Sequence, residues 1–277
     1  MRYVWSIAKE YRWQLLLIYF YMLVAQLLIL AEPYVIGKMI DGLIAKHFYW
    51  MFFYIGIAVF ESFFIYRRMV YDTKVYTRIY NTLVMRYLKK SQDADPSVRI
   101  ARTEMSNNII NFLEHDVHYY IYSIVTVVGT LMFIFFENPL TGFVVLSCVA
   151  PICTIVWIFY KKIAQSTRVS NTQSEDKASI MSEGDMDRIS TFFERRRKIA
   201  ISGSTLQGKN WTALHGTRWI FLVIALVVFT GSVGGISQGQ AVAMYSYINQ
   251  FLISLLSIPI GVETFTRIKD VIRRIKD

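Results

Sequence analysis

The stretch Gly203-Ser-Thr-Leu-Gln-Gly208-Lys209-Asn210 carries residue types that could hold a nucleotide. It nearly matches the loop G-x-x-x-x-G-K-[ST], in which backbone N–H groups and a lysine cradle the phosphates. Asn210 lacks the hydroxyl that ligates magnesium, and no acidic strand motif follows to complete a metal site. The stretch also lies in a helical segment between two apolar runs, so we interpret it as a chance match. The run Gly234-Gly-Ile-Ser-Gln-Gly239 also resembles a nucleotide-binding motif, but we expect it to be a turn.

Four polar residues in apolar surroundings, Gln26, Glu61, Asn249 and Gln250, are candidates for a substrate pathway. A carboxylate at the depth of Glu61 is costly in a membrane, so it is expected to face a cavity or a partner. It either carries a proton or contacts substrate, or it forms a structural ion pair with Arg68, one heptad along. The three amides either line a shared pathway or hydrogen-bond between helices, and for any single one we favour the second role.

The remaining reactive residues give little evidence of chemistry. His115 and His118 lie one helical turn apart and could ligate a transition metal. No further ligand is evident near them, so no metal site is expected. Cys148 and Cys153 are five residues apart on an expected helix and cannot form a disulfide with each other. No Ser/His/Asp or Cys/His set is apparent, so the sequence predicts neither an enzyme nor a cofactor in this chain.

Long apolar runs, rather than a soluble core, position these residues. The 277-residue chain is 54% hydrophobic and only 18% charged, whereas soluble domains have a charged share of about a quarter. The pattern predicts an all-α integral membrane protein formed by one domain. Its expected parts are a surface helix at 1–13, crossings at about 14–44, 48–66, 118–136, 140–160, 219–234 and 241–260, helical arms at 67–117 and 161–218, and a tail at 261–277.

The basic residues indicate how the crossings are oriented. Of the 30 Lys and Arg residues, 28 fall in the surface helix, the two arms and the tail, and only Lys38 and Lys46 lie on the other side. The positive-inside rule therefore places both termini and both arms in the cytosol. Because this bias explains the net charge of +10, no nucleic acid is expected as a partner. The N-terminus lacks the pattern of a cleaved signal peptide.

Each arm is expected to run down and back as two helices. In the first arm an apolar stripe at helical spacing comprises Val75, Ile79, Leu83, Val84 and Leu88, and turn-forming residues follow at 91–96. The tail beyond residue 261 is polar and basic and continues the sixth crossing without a break. A membrane helix is thus expected to leave the bilayer and extend into the cytosol.

This layout resembles the transmembrane domain of ATP-binding-cassette exporters, the six-helix type IV exporter fold. Three stretches resemble that family in particular: 33–44 at the outer end of its first helix, His115-Asp116-Val117 at the opening of its third, and Gly239-Gln-Ala-Val-Ala with Tyr247-Ile-Asn-Gln-Phe in its sixth. The Gly and Arg that the family usually carries just before the third helix are replaced by 107–112. The ATPase domain that normally follows the sixth helix is not among the 277 residues.

The resemblance implies a transporter subunit that pairs with a second copy of itself or with a related six-helix subunit. It also implies that a separate ATPase subunit docks at the arm tips, for which the candidate residues are Asp95, Pro96, Arg99, Asp187, Arg188 and Phe192. A bacterial cytoplasmic membrane is the expected location. Three alternatives stay open: a proton-driven transporter with Glu61 as proton carrier, a membrane scaffold or sensor that does not transport, and the membrane part of a longer protein.

Overall fold

The computed structural model of the chain describes residues 9–90 and 110–276, with side chains left out beyond 257 and over most of 164–183. In the described ranges all regular structure is helical, which confirms the predicted all-α fold. The elements in chain order are α1 (Arg12–Ile44), α2 (Tyr49–Lys90), a π-helical turn (Phe112–Asp116), α3 (Val117–Glu137), α4 (Pro139–Ser147), α5 (Val149–Glu183), α6 (Met186–Ser232) and α7 (Gln238–Lys276).

Five helical segments are long and apolar enough to cross a membrane: Arg12–Ile44, Tyr49–Arg86, Leu113–Glu137, Pro139–Ile163 and Met186–Ser232. Several helices exceed the roughly 30 Å thickness of a hydrocarbon core. The 47 residues of α6 span roughly 70 Å at 1.5 Å per residue. A helix of this length can contain both a membrane crossing and a cytosolic arm. The sixth expected crossing belongs to α7, which runs unbroken for 39 residues.

The fourth expected crossing, 140–160, is not one uninterrupted helix. It breaks at Cys148, between α4 and α5. Pro151 explains the break, because proline donates no N–H and its ring clashes with the carbonyl four residues earlier, that of Ser147. The backbone N–H of Cys148 instead bonds the carbonyl of Val145 at 3.2 Å, a tighter turn. Cys148 is buried and Cys153 exposed, and both are free, as predicted.

The chain forms two compact units, Met1–Gly142 with Leu226–Asp277 and Phe143–Ala225. In the first unit α1 packs against α2 and α7, and α3 packs against α7. The second unit contains α5 and most of α6. The predicted candidates for the substrate pathway all lie in the first unit.

A buried cluster holds the arm part of α2 against the start of the chain. Its members are Tyr11, Ile18, Val75, Tyr76, Ile79, Leu83 and Ile110. Three of these are residues of the predicted helical stripe, so the stripe is confirmed as a packing face. At its edge the Tyr11 hydroxyl lies 3.0 Å from Thr82 Oγ1, and Arg86 pairs with Glu10 at 2.8 Å. The arm is therefore anchored to the N-terminal segment rather than free in solvent.

The N-terminus of α7 is capped twice. Ser237 and Gln240 form a capping box, in which the Gln240 N–H donates to Ser237 Oγ and the Ser237 N–H donates to Gln240 Oε1, both at 3.1 Å. Asp41, from the last turns of α1, then accepts from Ser237 Oγ at 2.6 Å and from the Gly239 N–H at 2.8 Å. A carboxylate at this position also complements the positive end of the α7 dipole.

Two glycines allow this close approach of α1 and α7. A Cβ on Gly37 would lie 2.6 Å from the carbonyl oxygen of Gly239, and a Cβ on Gly239 would clash with the carbonyl oxygen of Gly37 and with the Asp41 carboxylate. Small residues at helix crossings in membranes serve this purpose, because they let backbones meet. The two segments that resemble the exporter family at 33–44 and at 239 thus contact each other.

We expect Gly239→Ala to destabilise the fold by roughly 1–3 kcal/mol, the usual cost of overpacking a tight contact. The measurement is thermal unfolding of the purified chain in detergent. Gly231→Ala is the matched control, because a Cβ there meets nothing within 4 Å and alanine favours a helix over glycine. If the two variants melt at the same temperature, the α1–α7 contact is not tight.

Candidate functional site

The nucleotide-loop look-alike at 203–210 lies in the middle of α6 and is helical throughout. A helix interior offers no row of free N–H groups to a phosphate, since these groups bond within the helix. The interpretation as a chance match is confirmed. The run 234–239 lies at the junction of α6 and α7, where Gly235 has a φ of 71°, so its interpretation as a turn is confirmed as well.

Gln26 is sealed between helices. Its side chain is 2% exposed, and its Nε2 donates to Thr126 Oγ1 on α3 at 2.7 Å. Thr126 in turn donates to the Tyr122 carbonyl at 2.9 Å, so the Gln26 amide group is tied to α3 through a chain of two hydrogen bonds. This geometry favours the helix-bonding interpretation of Gln26 over a direct role in a pathway.

Asn249 and Gln250 differ from Gln26 in what they bond. The Asn249 Oδ1 and Gln250 Oε1 atoms are buried and have no hydrogen-bond partner among the described residues. Their neighbours Ile248 and Phe251 are fully buried, so α7 is fixed in rotation about its axis. A buried acceptor without a donor costs about 1–3 kcal/mol. Both acceptors are therefore open to a donor that the described residues do not supply.

Glu61 lies on α2 and is half-buried, close enough to Glu32 on α1 for their charges to interact. Glu32 accepts a 3.0 Å hydrogen bond from the Tyr54 hydroxyl. The alternative of an ion pair between Glu61 and Arg68 is wrong. One heptad places the two residues on similar faces, but Arg68 extends the other way along the helix to Asp72, at 3.6 Å.

A further cluster lies where the arm part of α2 meets the start of α3. We call Arg68, Asp72, Glu114, His115 and His118 the arm-base cluster; all five line a cavity of about 530 Å³. Arg68 contacts Asp72 and the Nε2 atom of His118. Burial raises the pKa of the Asp72 carboxyl from 3.8 to about 6, because desolvation outweighs the Arg68 charge.

The weaker alternative of a metal bound by His115 and His118 gains no third ligand. The part of the chain that the structure describes contains no group of three or more His, Cys, Asp or Glu residues placed to hold a metal. His118 is engaged instead by Arg68. Asp72 was not among the site residues predicted from the sequence. Its spacing could have predicted it, because Asp72 lies three and seven residues before the buried Val75 and Ile79, which puts a carboxylate on the packing face.

The tip of the second arm is a defined turn between α5 and α6. Gly184 adopts a left-handed conformation with a φ of 71°, the usual way to end a helix. Asp185 Oδ1 then accepts from the N–H groups of Asp187 and Arg188 at 3.0 and 3.3 Å and begins α6. Asp187 and Arg188 are exposed. The docking candidate Phe192 is 8% exposed.

The docking candidates of the first arm, Asp95, Pro96 and Arg99, lie outside the described residues. The structure therefore places one of the two candidate docking tips. Two exposed residues of opposite charge lie at that tip, directly after a capped helix start, on a rigid rod.

A family model described as the ABC transporter transmembrane region matches residues 4–239. The match includes the expected crossings one to five, both arms, the capping box serine Ser237 and the close-contact residue Gly239. None of the curated proteins compared with the chain is significantly similar to it.

The two kinds of buried amide predict opposite responses to the same substitution. Gln26→Leu removes the hydrogen bond to Thr126. We expect it to reduce the free energy of unfolding by about 0.6 kcal/mol or more and so to lower the melting temperature of the purified chain. Gln250→Leu removes an acceptor that has no donor among the described residues, so the melting temperature of the monomeric chain is expected to stay the same or rise. Thermal unfolding in detergent measures both. A loss of stability in Gln250→Leu equal to that in Gln26→Leu would contradict the distinction.

Proposed function

Because this chain belongs to the ABC transporter transmembrane family, we propose that it is the membrane-spanning subunit of an exporter-like transporter. The chain is an integral membrane protein. In the proposal, two copies, or one copy and a related six-helix subunit, form the substrate pathway, and a separate ATPase subunit supplies the energy. The observation that carries the proposal is the match of the transmembrane-region model to residues 4–239. The chain itself does not hydrolyse ATP in this scheme.

The unpartnered side-chain oxygens of Asn249 and Gln250 on α7 support a pathway shared by two chains. Asn249 and Gln250 have buried acceptors that the described residues leave without donors, and intramembrane polar groups without partners usually face a cavity or another subunit. A second six-helix subunit or a polar substrate would supply those donors. Either source places α7 at the centre of the assembly.

Arginine–aromatic contacts support the proposed orientation. They lie close to the expected inner ends of three crossings: Arg12 over Trp13 at 5.5 Å, Arg67 over Phe63 at 6.0 Å and Arg218 over Trp219 at 4.4 Å. Aromatic residues are enriched at membrane–water interfaces, and arginines near helix ends extend to the headgroups. These contacts support the orientation that the charge bias predicts, with the arms in the cytosol.

The tip at Gly184 supports docking of an ATPase. An arm whose turn is fixed by a left-handed glycine and a capping aspartate transmits movement better than a loose loop, because packed elements move as rigid bodies. Asp187 and Arg188 are exposed there. Exposed charged residues at the edge of an interface determine the choice of partner more than the affinity for it.

Reversing both charges at the tip tests the docking role. We expect the double variant Asp187→Lys with Arg188→Glu to lose an ATPase that co-purifies with the wild-type chain from its native membrane at native expression. The readout is quantitative mass spectrometry of the purified material. Lys209→Glu is the control, since it reverses an exposed charge on the same helix about 33 Å away by helical rise.

Two results would contradict the docking role. One is that the wild-type chain recovers no ATPase, which also contradicts the proposed energy source. The other is that the tip variant recovers as much ATPase as Lys209→Glu, which contradicts only the position of the docking surface. Equal melting temperatures for the two variants would show that neither change disturbs the fold.

A second candidate function is transport driven by a proton gradient. The observation that favours it is the approach of Glu61 to Glu32 inside the expected membrane region. An intramembrane carboxylate is costly to hold as an ion, and such residues commonly mark proton relays. Glu61 would then load and release the proton, with Tyr54 holding Glu32 in place.

Glu61→Gln separates this candidate from the first. If protons drive transport, the variant in proteoliposomes is expected to lose the response of uptake to a pH gradient, because glutamine cannot titrate. Glu137→Gln is the control, because Glu137 is an exposed carboxylate at the expected outer end of the third crossing. Wild-type uptake that ignores a pH gradient, or an unchanged response in Glu61→Gln, would exclude Glu61 as the proton carrier.

A further inference from the structure

The cavity at the arm-base cluster has a volume of about 530 Å³, in the range of small-molecule sites. It opens between the arm part of α2 and the π-helical turn that precedes α3. Its chemically distinctive lining consists of Arg68, Asp72, Glu114, His118, Tyr119 and Tyr122. π-helical turns of this kind are rare and occur frequently at functional sites.

Asp72 supplies the main evidence for a ligand. Its side chain belongs to a residue that is 7% exposed, yet its Oδ1 atom has no hydrogen-bond partner among the described residues. The other oxygen, Oδ2, lies 3.6 Å from Arg68 Nε, which is an ion pair without a good hydrogen bond. A buried carboxylate with an open acceptor is costly, so the site favours a group that donates N–H or O–H bonds.

The charge of the cavity narrows the class of that group. Arg68 offsets one carboxylate, and its guanidinium is also engaged by His118. Glu114 adds a second carboxylate to the same lining, so negative charge is in excess. Tyr119 and Tyr122 add aromatic rings, which attract organic cations. A metal ion is disfavoured because no three ligating residues converge among the described ones.

We propose that this cavity binds an alkylammonium group, with Asp72 as its principal acceptor and Glu114 as the second. Two sources carry this chemistry: a small soluble amine, and the headgroup of an aminolipid. Asp72 lies six residues past the expected end of crossing two at 66, roughly 9 Å beyond it along the helix, which is the level of headgroups and adjacent cytosol. The exposed rim residues Met69 and Tyr119 would let a lipid tail pass into the bilayer.

The acidity of Asp72 gives the site a pH dependence of known sign. The raised pKa of about 6 arises from burial and the Glu114 charge, opposed by Arg68 and His115. The other titratable groups facing it are His118, Tyr19 on α1 and Tyr76 on α2. Above pH 6 the carboxylate is present and can bind a cation. Affinity is therefore expected to fall as the pH drops through about 6, because the neutral acid gains nothing from a cation.

The test uses the purified full chain and two ammonium sources. In detergent at pH 7.5 it is titrated with ethanolamine, and with ethylene glycol as the uncharged analogue. In nanodiscs of phosphatidylglycerol it is compared with and without phosphatidylethanolamine. Binding is measured as a rise in melting temperature, which follows from ligand binding to the folded state.

We expect at least one ammonium source to stabilise the wild-type chain, and ethylene glycol not to. Asp72→Asn is expected to weaken that binding by about ten- to a hundred-fold, the usual loss for a hydrogen bond to a charged group. The wild-type chain at pH 5 should show the same loss. Glu194→Gln, an exposed carboxylate paired with Arg197 in α6, is the control and should bind like the wild type.

The pattern of responses identifies the source or overturns the proposal. Stabilisation by ethanolamine indicates a soluble amine, and stabilisation by phosphatidylethanolamine alone indicates a lipid headgroup. No response to either source, or equal responses in Asp72→Asn and the wild type, overturns the proposal. If Asp72→Asn does not fold, Glu114→Gln replaces it, and binding that is unchanged both in this variant and at pH 5 overturns the proposal equally.

Discussion

The contact of Asp41 with the start of α7 fixes the first turn of α7 against α1. The N–H donors in the first turn of α7 have no partners within the helix and need acceptors from elsewhere. Asp41 provides the acceptors from α1, and Gly37 and Gly239 let the two backbones meet. Because an α-helix is rigid, fixing its first turn fixes the rotation and height of every later residue.

The consequences can be followed down α7 in order. Tyr247 donates to the Leu30 carbonyl at 3.2 Å and stacks on Phe133 with ring centroids 4.9 Å apart. One turn lower Phe251 is buried, and a further turn and a half brings Ser257 within 3.1 Å of Ser123 on α3. All these contacts lie on one side of the helix. Asn249 and Gln250 fall between these residues in sequence, and their buried acceptors have no hydrogen-bond partner among the described residues.

The sequence was most informative where a repeating pattern met a strong physical preference. Apolar length predicted the helices, and the stripe at Val75, Ile79 and Leu83 predicted the face that α2 buries in its arm. The family resemblance at 33–44 and 239 marked two segments that the structure brings into contact, but no pattern in the sequence explains why they pair. That reason is a hydrogen bond between residues 198 apart, which no local pattern contains.

The direction in which side chains point was the second property that could not be predicted from the sequence. Heptad spacing suggested that Glu61 and Arg68 could pair, whereas Arg68 pairs at i+4 with Asp72 and reaches His118 across to α3. The interruption at Cys148 could have been predicted from Pro151 alone, since proline disrupts the turn before it. The roles of Gln26 and Gln250 could not, because both are amides in apolar runs and only the presence of Thr126 opposite one of them separates the two.

In the proposed transporter subunit, α1, α3 and α7 would form the core, and the long helices would carry movement between the membrane and the cytosol. The buried acceptors of Asn249 and Gln250, which have no donor among the described residues, support the proposal of a second subunit. The composition of the intact assembly is therefore the most direct measurement, made by native mass spectrometry of the complex purified from its own membrane at native expression. Two six-helix subunits together with ATPase subunits are predicted. A single copy of the chain with no ATPase and no second six-helix subunit would contradict the proposal.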